Sequence, residues 1–145
     1  MREMIFLVDD SSMNLKVAKE ALKDYYQVIP MQSAAQMFTA LEKVTPSLIL
    51  LDMLMPEMDG FEALSVLKEK YADIPVIFLT GTTDSEEEAK GIEMGAVDFI
   101  IKPFSEPVLL NRIKLNIERA QLIKENKRLL QEIEQYRQEA APKNE

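Results

Sequence analysis

The chain has 145 residues, 47% of them apolar, and carries 17 basic against 25 acidic side chains for a net charge of −8. That length supports one well-buried domain plus an appendage, and the negative charge opposes the phosphate attraction behind most non-specific nucleic-acid binding, so no direct nucleic-acid partner is expected. Cysteine and histidine are both absent, which excludes disulfides and thiolate or imidazole metal sites and leaves Asp, Glu, Lys, Thr and backbone oxygen for any chemistry.

The first apolar run, "MIFLV" at 4–8, is too short for a globular helix and reads as a strand. It begins with no signal-peptide layout, and no later segment approaches the roughly 18 apolar residues of a membrane span, so a cytoplasmic protein with no membrane partner is expected. Asp9 and Asp10 follow side by side. "SMNLKVAKEALKDY" (12–25) then sets Leu15, Ala18 and Leu22 on one helical face, with Asp10 or Ser11 placed to cap it. "YQVI" (26–29) reads as the second strand and "SAAQMFTALEKV" (33–44) as the second helix. "SLILL" (47–51) runs into Asp52 and precedes the helix "GFEALSVLKEKY" (60–71). "PVIFL" (75–79) runs into Thr80 and precedes "SEEEAKGIEMG" (85–95), while "VDFII" (97–101) is followed by Lys102. A last helix starts near Pro107 and meets no Gly or Pro until Pro142, about 35 residues or roughly 50 Å.

Continuously apolar strands alternating with helices predict a doubly wound α/β sandwich with a parallel sheet covered on both faces. Ligands of such folds sit outside the carboxyl ends of the strands. Asp9, Asp10, Asp52, Thr80 and Lys102 all fall there. Singly, each has an ordinary reading as a cap, a loop start or a surface charge. Together they crowd three carboxylates that raise one another's pKa unless a cation relieves them. An all-oxygen donor set suits Mg²⁺, which keeps positions open for water and phosphate. Asp52 is then placed to attack a phosphoryl group as a carboxylate nucleophile, with the metal, Lys102 and the Thr80 hydroxyl neutralising the three phosphoryl oxygens.

"LVDDSSMN", "LILLDMLMPEMDGFEAL", "PVIFLTGTTD" and "GAVDFIIKPF", in this order and spacing, resemble the receiver domain of two-component response regulators over residues 3 to about 118. The resemblance implies strand order 2-1-3-4-5 and Asp52 as phosphoacceptor, charged by a histidine kinase or phosphotransfer protein. It makes Asp9, Asp10, Asp52 and the Leu54 backbone carbonyl the Mg²⁺ ligands. It implies a cis Lys102-Pro103 bond that aims the ammonium inward, and a switch in which Thr80 moves toward the phosphoryl group while an aromatic residue, here Phe99, changes rotamer. That motion alters the surface of helix four, strand five and helix five. Leu54 and Thr82 match the positions that help or hinder the attacking water. Neither offers an acid or amide, so slow self-dephosphorylation is expected.

Beyond the receiver, Leu115, Leu122, Leu129 and Tyr136 recur every seven residues, interleaved by Arg119, Asn126, Ile133 and Ala140. Glu118, Glu125, Glu132 and Glu139 flank them. This predicts a parallel two-stranded coiled coil and a homodimer, with Asn126 setting register. Ile123 and Leu130 widen the stripe and leave open another oligomer or packing against a further domain. The expected organisation is a receiver over 1–118, an extended helix over 119–140 and a disordered tail over 141–145. The helix resembles the signalling helix leading to an output domain, and the expectation is either a fragment of a longer regulator whose C-terminal output domain is missing from this sequence or a coiled coil that is itself the interaction surface. Two other functions compete. A phosphatase using Asp52 would place a second acid two positions on, where Leu54 stands, so no enzyme beyond self-phosphorylation and self-dephosphorylation is expected. The alternative is a phosphate-independent dimerisation adaptor.

Overall fold

The computed structural model describes residues 2–81 and 84–140. Five strands and five helices alternate: β1 (Met4–Val8), α1 (Ser12–Leu22), β2 (Gln27–Met31), α2 (Ala34–Leu41), β3 (Leu48–Asp52), α3 (Gly60–Lys70), β4 (Val76–Thr80), α4 (Ser85–Met94), β5 (Asp98–Ile101) and α5 (Glu106–Ala140). Local chemistry sets the helix starts. Ser11, Ser33, Asp59 and Asp84 each stand at an N-cap and accept a backbone N–H from the first turn, satisfying a donor the helix cannot. Gly95 ends α4 in the left-handed conformation at φ 113°, which costs glycine nothing.

The strands form one parallel sheet in the order β2-β1-β3-β4-β5. Strand alternation divides the core into two layers. Phe6, Val8, Ile49, Leu51, Val76, Phe78 and Phe99 pack with Met37 of α2 and Leu64 and Leu67 of α3. Ile5, Leu7, Leu50, Ile77 and Leu79 pack with Leu15, Ala18 and Leu22 of α1 and Leu109, Ile113 and Ile117 of α5. Each large apolar side chain fully withdrawn from water contributes about 1.5–3 kcal/mol, and both layers depend on the helices to supply that cover.

Several boundaries differ from the sequence expectation for identifiable reasons. β2 continues through Pro30 to Met31, because it is an edge strand on which a missing N–H need not break the ladder. The first helix stops at Leu22 rather than Tyr25: the N–H groups of Tyr25 and Tyr26 both fold back onto the Leu22 carbonyl. The second ends at Leu41 rather than Val44, where Lys43 and Val44 close on the Ala40 carbonyl ahead of Pro46. The Lys102-Pro103 peptide is cis, as the resemblance implies.

The last helix is long and continuous, as expected. Its inward face ends with Ile117, beyond which Gln121 Nε2 donates to Glu3 Oε1 at 3.2 Å and Lys127 Nζ pairs with Asp73 at 3.6 Å. Leu122, Leu129, Ile133 and Tyr136 are 42–74% exposed. Among the described residues, no helix is long and apolar enough to cross a membrane. The tail expected over 141–145 lies outside the described residues.

Candidate functional site

The sheet ladder runs into the loops at its carboxyl edge and fixes them. Asp9 N–H donates to the Met31 carbonyl at 3.0 Å, Met53 N–H to Leu79 at 3.2 Å and Lys102 N–H to Thr80 at 2.7 Å. Three chain-distant backbones are therefore held in register where the sequence placed the charged residues. Gly60 N–H closes the β3–α3 loop onto the Met53 carbonyl at 2.9 Å. A Cβ at Gly60 would lie 2.7 Å from Met53 Cα and 2.8 Å from the Asp52 carbonyl oxygen, so this tight entry into α3 requires glycine.

Asp9 and Asp52 are buried in this edge and Asp10 is exposed. Lys102 Nζ lies 2.8 Å from Asp9 Oδ2 and 3.4 Å from Asp52 Oδ1. The other Asp9 oxygen accepts the Ser11 N–H at 2.9 Å. Asp9 thus has both oxygens engaged. Asp52 differs: Lys102 and the Leu54 N–H both go to Oδ1, each at 3.4 Å, and Oδ2 has no donor among the described residues. No buried side-chain oxygen there lacks a partner, so this Oδ2 reaches the surface. Burial and the Asp9 charge push the Asp52 carboxyl up to about 6, against the opposing pull of Lys102 and the Leu54 N–H.

Asp9, Asp10 and Asp52 each offer an oxygen within 4.8 Å of the others. Three converging carboxylates and a single shared ammonium leave excess negative charge, which fits a hard divalent cation. Thr80 is buried at the end of β4 beside them, and Leu54 turns its side chain 75% exposed to solvent. Thr82 lies outside the described residues. Phe99 sits at the same end of the sheet but points inward, 8% exposed, against Phe78.

Two features escape a reading of the sequence. Met13, Val17 and Phe104 line an apolar depression of about 350 Å³ that reaches Lys102. Asp98, on β5, accepts from Arg112 at 2.7 Å and Asn116 at 3.1 Å and ties the strand to α5. The α1 residues face away from the core-forming stripe, and the Asp98 pairs span 14 and 18 positions, so local periodicity reveals neither. The "KPF" string carrying Phe104 is the one available signal for the depression.

Comparison with known proteins agrees with this architecture. Residues 5–114 match the family model described as the response regulator receiver domain. A probable cyclic di-GMP phosphodiesterase of Vibrio cholerae is 38% identical over 116 residues, covering 79% of this chain and 26% of that protein. The DNA-binding response regulator MtrA of Mycobacterium tuberculosis is 31% identical and is covered over 52% of its length by 82% of this chain. The chain thus spans about a quarter to a half of these curated relatives. The structure of a BeF3-activated DrrB receiver domain, from a Thermotoga maritima protein, matches with a TM-score of 0.75 at 31% identity, covering 81% of this chain and 99% of that one.

Proposed function

The chain belongs to the response regulator receiver domain family, and we propose that it accepts a phosphoryl group on Asp52 and passes the change on through its helix 4, strand 5 and helix 5 face and its projecting helix. The observation that carries this reading is the asymmetry of the Asp52 carboxylate: Oδ1 is held by Lys102 and Leu54, while Oδ2 is left open at the surface. A nucleophile needs one oxygen positioned and the other available. Oδ2 forms the new bond to phosphorus as the bond to the donor's histidine nitrogen breaks, and that nitrogen leaves with the electron pair. Lys102 moves its hydrogen bonds toward the developing phosphoryl charge, and the Thr80 hydroxyl takes another oxygen.

Asp9, Asp10, Asp52 and the Leu54 carbonyl would hold Mg²⁺ in this reading. Bound there, the ion would neutralise phosphoryl charge that the single ammonium cannot. The activation of the DrrB receiver by BeF3 supports the same chemistry here. The apolar depression of Met13, Val17 and Phe104 beside Lys102 gives a histidine kinase or phosphotransfer protein a surface to cover during transfer. The exposed Leu54 side chain offers no group to orient water. A phosphoryl half-life of minutes or more is expected, and one of seconds contradicts this assignment.

Residues 119–140 serve as a dimerisation helix attached to a receiver over 1–118. The seam through Leu115, Leu122 and Leu129 lies about 150° round α5 from Ile113 and Ile117, so a second helix can approach without displacing the sheet. Glu118, Glu125, Glu132 and Glu139 occupy one flank throughout. An antiparallel partner would set these carboxylates against each other, whereas a parallel one meets Ile123, Leu130 and Arg137.

Incubation with Mg²⁺ and acetyl phosphate, read by hydroxylamine-sensitive gel retardation, tests the phosphoacceptor. The wild-type chain should be labelled and Asp52→Asn should not. Equal labelling of both would remove Asp52 from its role.

A further inference from the structure

Phe99 lacks the phenol with which a tyrosine could reach a polar partner, so its position is decided by packing. Its ring lies 5.4 Å from that of Phe78, tilted by 52°. Phe78 in turn meets Phe61 of α3 edge to face, at 5.5 Å and 67°. Two glycines make this arrangement possible. A Cβ at Gly91 of α4 would lie 2.5 Å from Phe99 Cζ and 3.0 Å from Phe78 Cε2. A Cβ at Gly60 would lie 2.9 Å from Phe78 Cε1, on the opposite edge of the same ring. Phe78 is therefore wedged between the first residue of α3, which abuts the Asp52 carbonyl, and the point on α4 that receives Phe99.

We propose that Phe78 and Gly91 form a seat for Phe99, and that Phe78 couples the phosphoacceptor loop to that seat by direct packing. The proposal rests on the reading of Phe99 as the residue whose rotamer reports phosphorylation. Close-packed rings cannot absorb a displacement, so a shift of the β3–α3 loop at Gly60 is carried to Phe99 through the intervening ring. A second place for the ring exists. Phe99 also borders a cleft of about 150 Å³ lined by Thr80, Asp98 and Arg112 and by Asp84, Glu87 and Glu88 at the start of α4. The two arrangements differ in what α4, β5 and α5 present to a partner. The apolar seat holds the ring inward, and the polar cleft takes it when the seat is narrowed.

The test uses the full chain labelled with meta-fluorophenylalanine, with the Phe99 resonance assigned by Phe99→Leu and recorded by ¹⁹F NMR with and without Mg²⁺ and beryllofluoride. In the wild-type protein the resonance should move on beryllofluoride addition. In Phe78→Leu the Asp52 site should still take label from acetyl phosphate, within about twofold of wild type, while the Phe99 displacement falls to less than about a third. Gly91→Ala approaches the seat from its other side and keeps all three rings. It should move the unliganded Phe99 resonance to a solvent-exposed value, and Gly91→Ala combined with Phe99→Leu should recover the thermal midpoint that Gly91→Ala loses, because leucine has no Cζ to meet the new methyl group. A purely structural role for Gly91 would lower the midpoint without changing Phe99 exposure. A full Phe99 response in Phe78→Leu, or an unmoved resonance in Gly91→Ala, overturns the seat while leaving the switch reading in place. A wild-type resonance that ignores beryllofluoride overturns both.

Discussion

The carboxyl edge of the sheet and the projecting half of α5 reverse the usual distribution of side chains in opposite ways. At the sheet edge, Asp9 and Asp52 are buried with one shared ammonium, a net negative site withdrawn from water. Along the helix, Leu122, Leu129, Ile133 and Tyr136 face water with nothing of the chain's own core against them. One region buries charge that the chain alone does not neutralise, and the other exposes apolar surface that the chain alone does not cover. In the function proposed above, a cation would relieve the first and a second helix would cover the second. These two departures carry the functional reading.

Removing the cation at the sheet edge should have the largest effect. Lys102→Ala leaves Asp9 buried without its ionic partner, and breaking such a pair costs on the order of 2–4 kcal/mol. Urea unfolding in EDTA should show that loss, with part of it regained in Mg²⁺. An unchanged midpoint would mean that the site's charges are not in tension. On the helix, Leu129→Lys should weaken dimerisation about a hundredfold while leaving Asp52 labelling intact, as a charge at a seam position requires. Sedimentation equilibrium reads this directly, and no change would make the helix a solvated rod.

A third test concerns pH. Asp52 has a folded-state pKa of about 6, above its ordinary 3.8. Between those values the folded protein binds more protons than the unfolded chain, so this group's contribution to stability falls as pH rises from about 4 through 6. Metal-free Asp52→Asn should therefore be more stable than wild type at pH 7, by on the order of 1–3 kcal/mol, with the gap closing toward pH 4. Thermal melts across that range check it. A gap that grows on acidification would reverse the assigned direction. Mg²⁺ should shrink the gap by stabilising the ionised wild-type carboxylate.

Much of this comparison is legible in the sequence, because both departures are local. A charged pair ending "MIFLV" and a heptad of leucines are visible without knowing what they touch. The parallel sheet and the gathering of Asp9, Asp52, Thr80 and Lys102 at its carboxyl edge follow from alternation and crossover handedness, whereas the strand order comes from the family resemblance. Helix and strand ends are less legible: the turn at Leu22 is closed by the N–H groups of Tyr25 and Tyr26, and the place of Pro30 on an edge strand depends on the pairing of β2 with β1 alone. The Phe78–Phe99 contact joins strands separated by α4, and Gly91 reads as an ordinary helical residue until its missing Cβ is seen against a ring. Side-chain packing across elements has no period in sequence. That Oδ2 of Asp52 has no donor among the described residues is likewise a matter of which oxygen the Leu54 N–H and Lys102 choose.

Native mass spectrometry of the full chain, after incubation with Mg²⁺ and acetyl phosphate, reads both regions in one spectrum. The account predicts a dimer carrying one increment of about 80 Da per chain, the mass of a phosphoryl group replacing a proton, and no increment in Asp52→Asn. A monomer with no increment, under conditions that label the DrrB receiver domain, would contradict it.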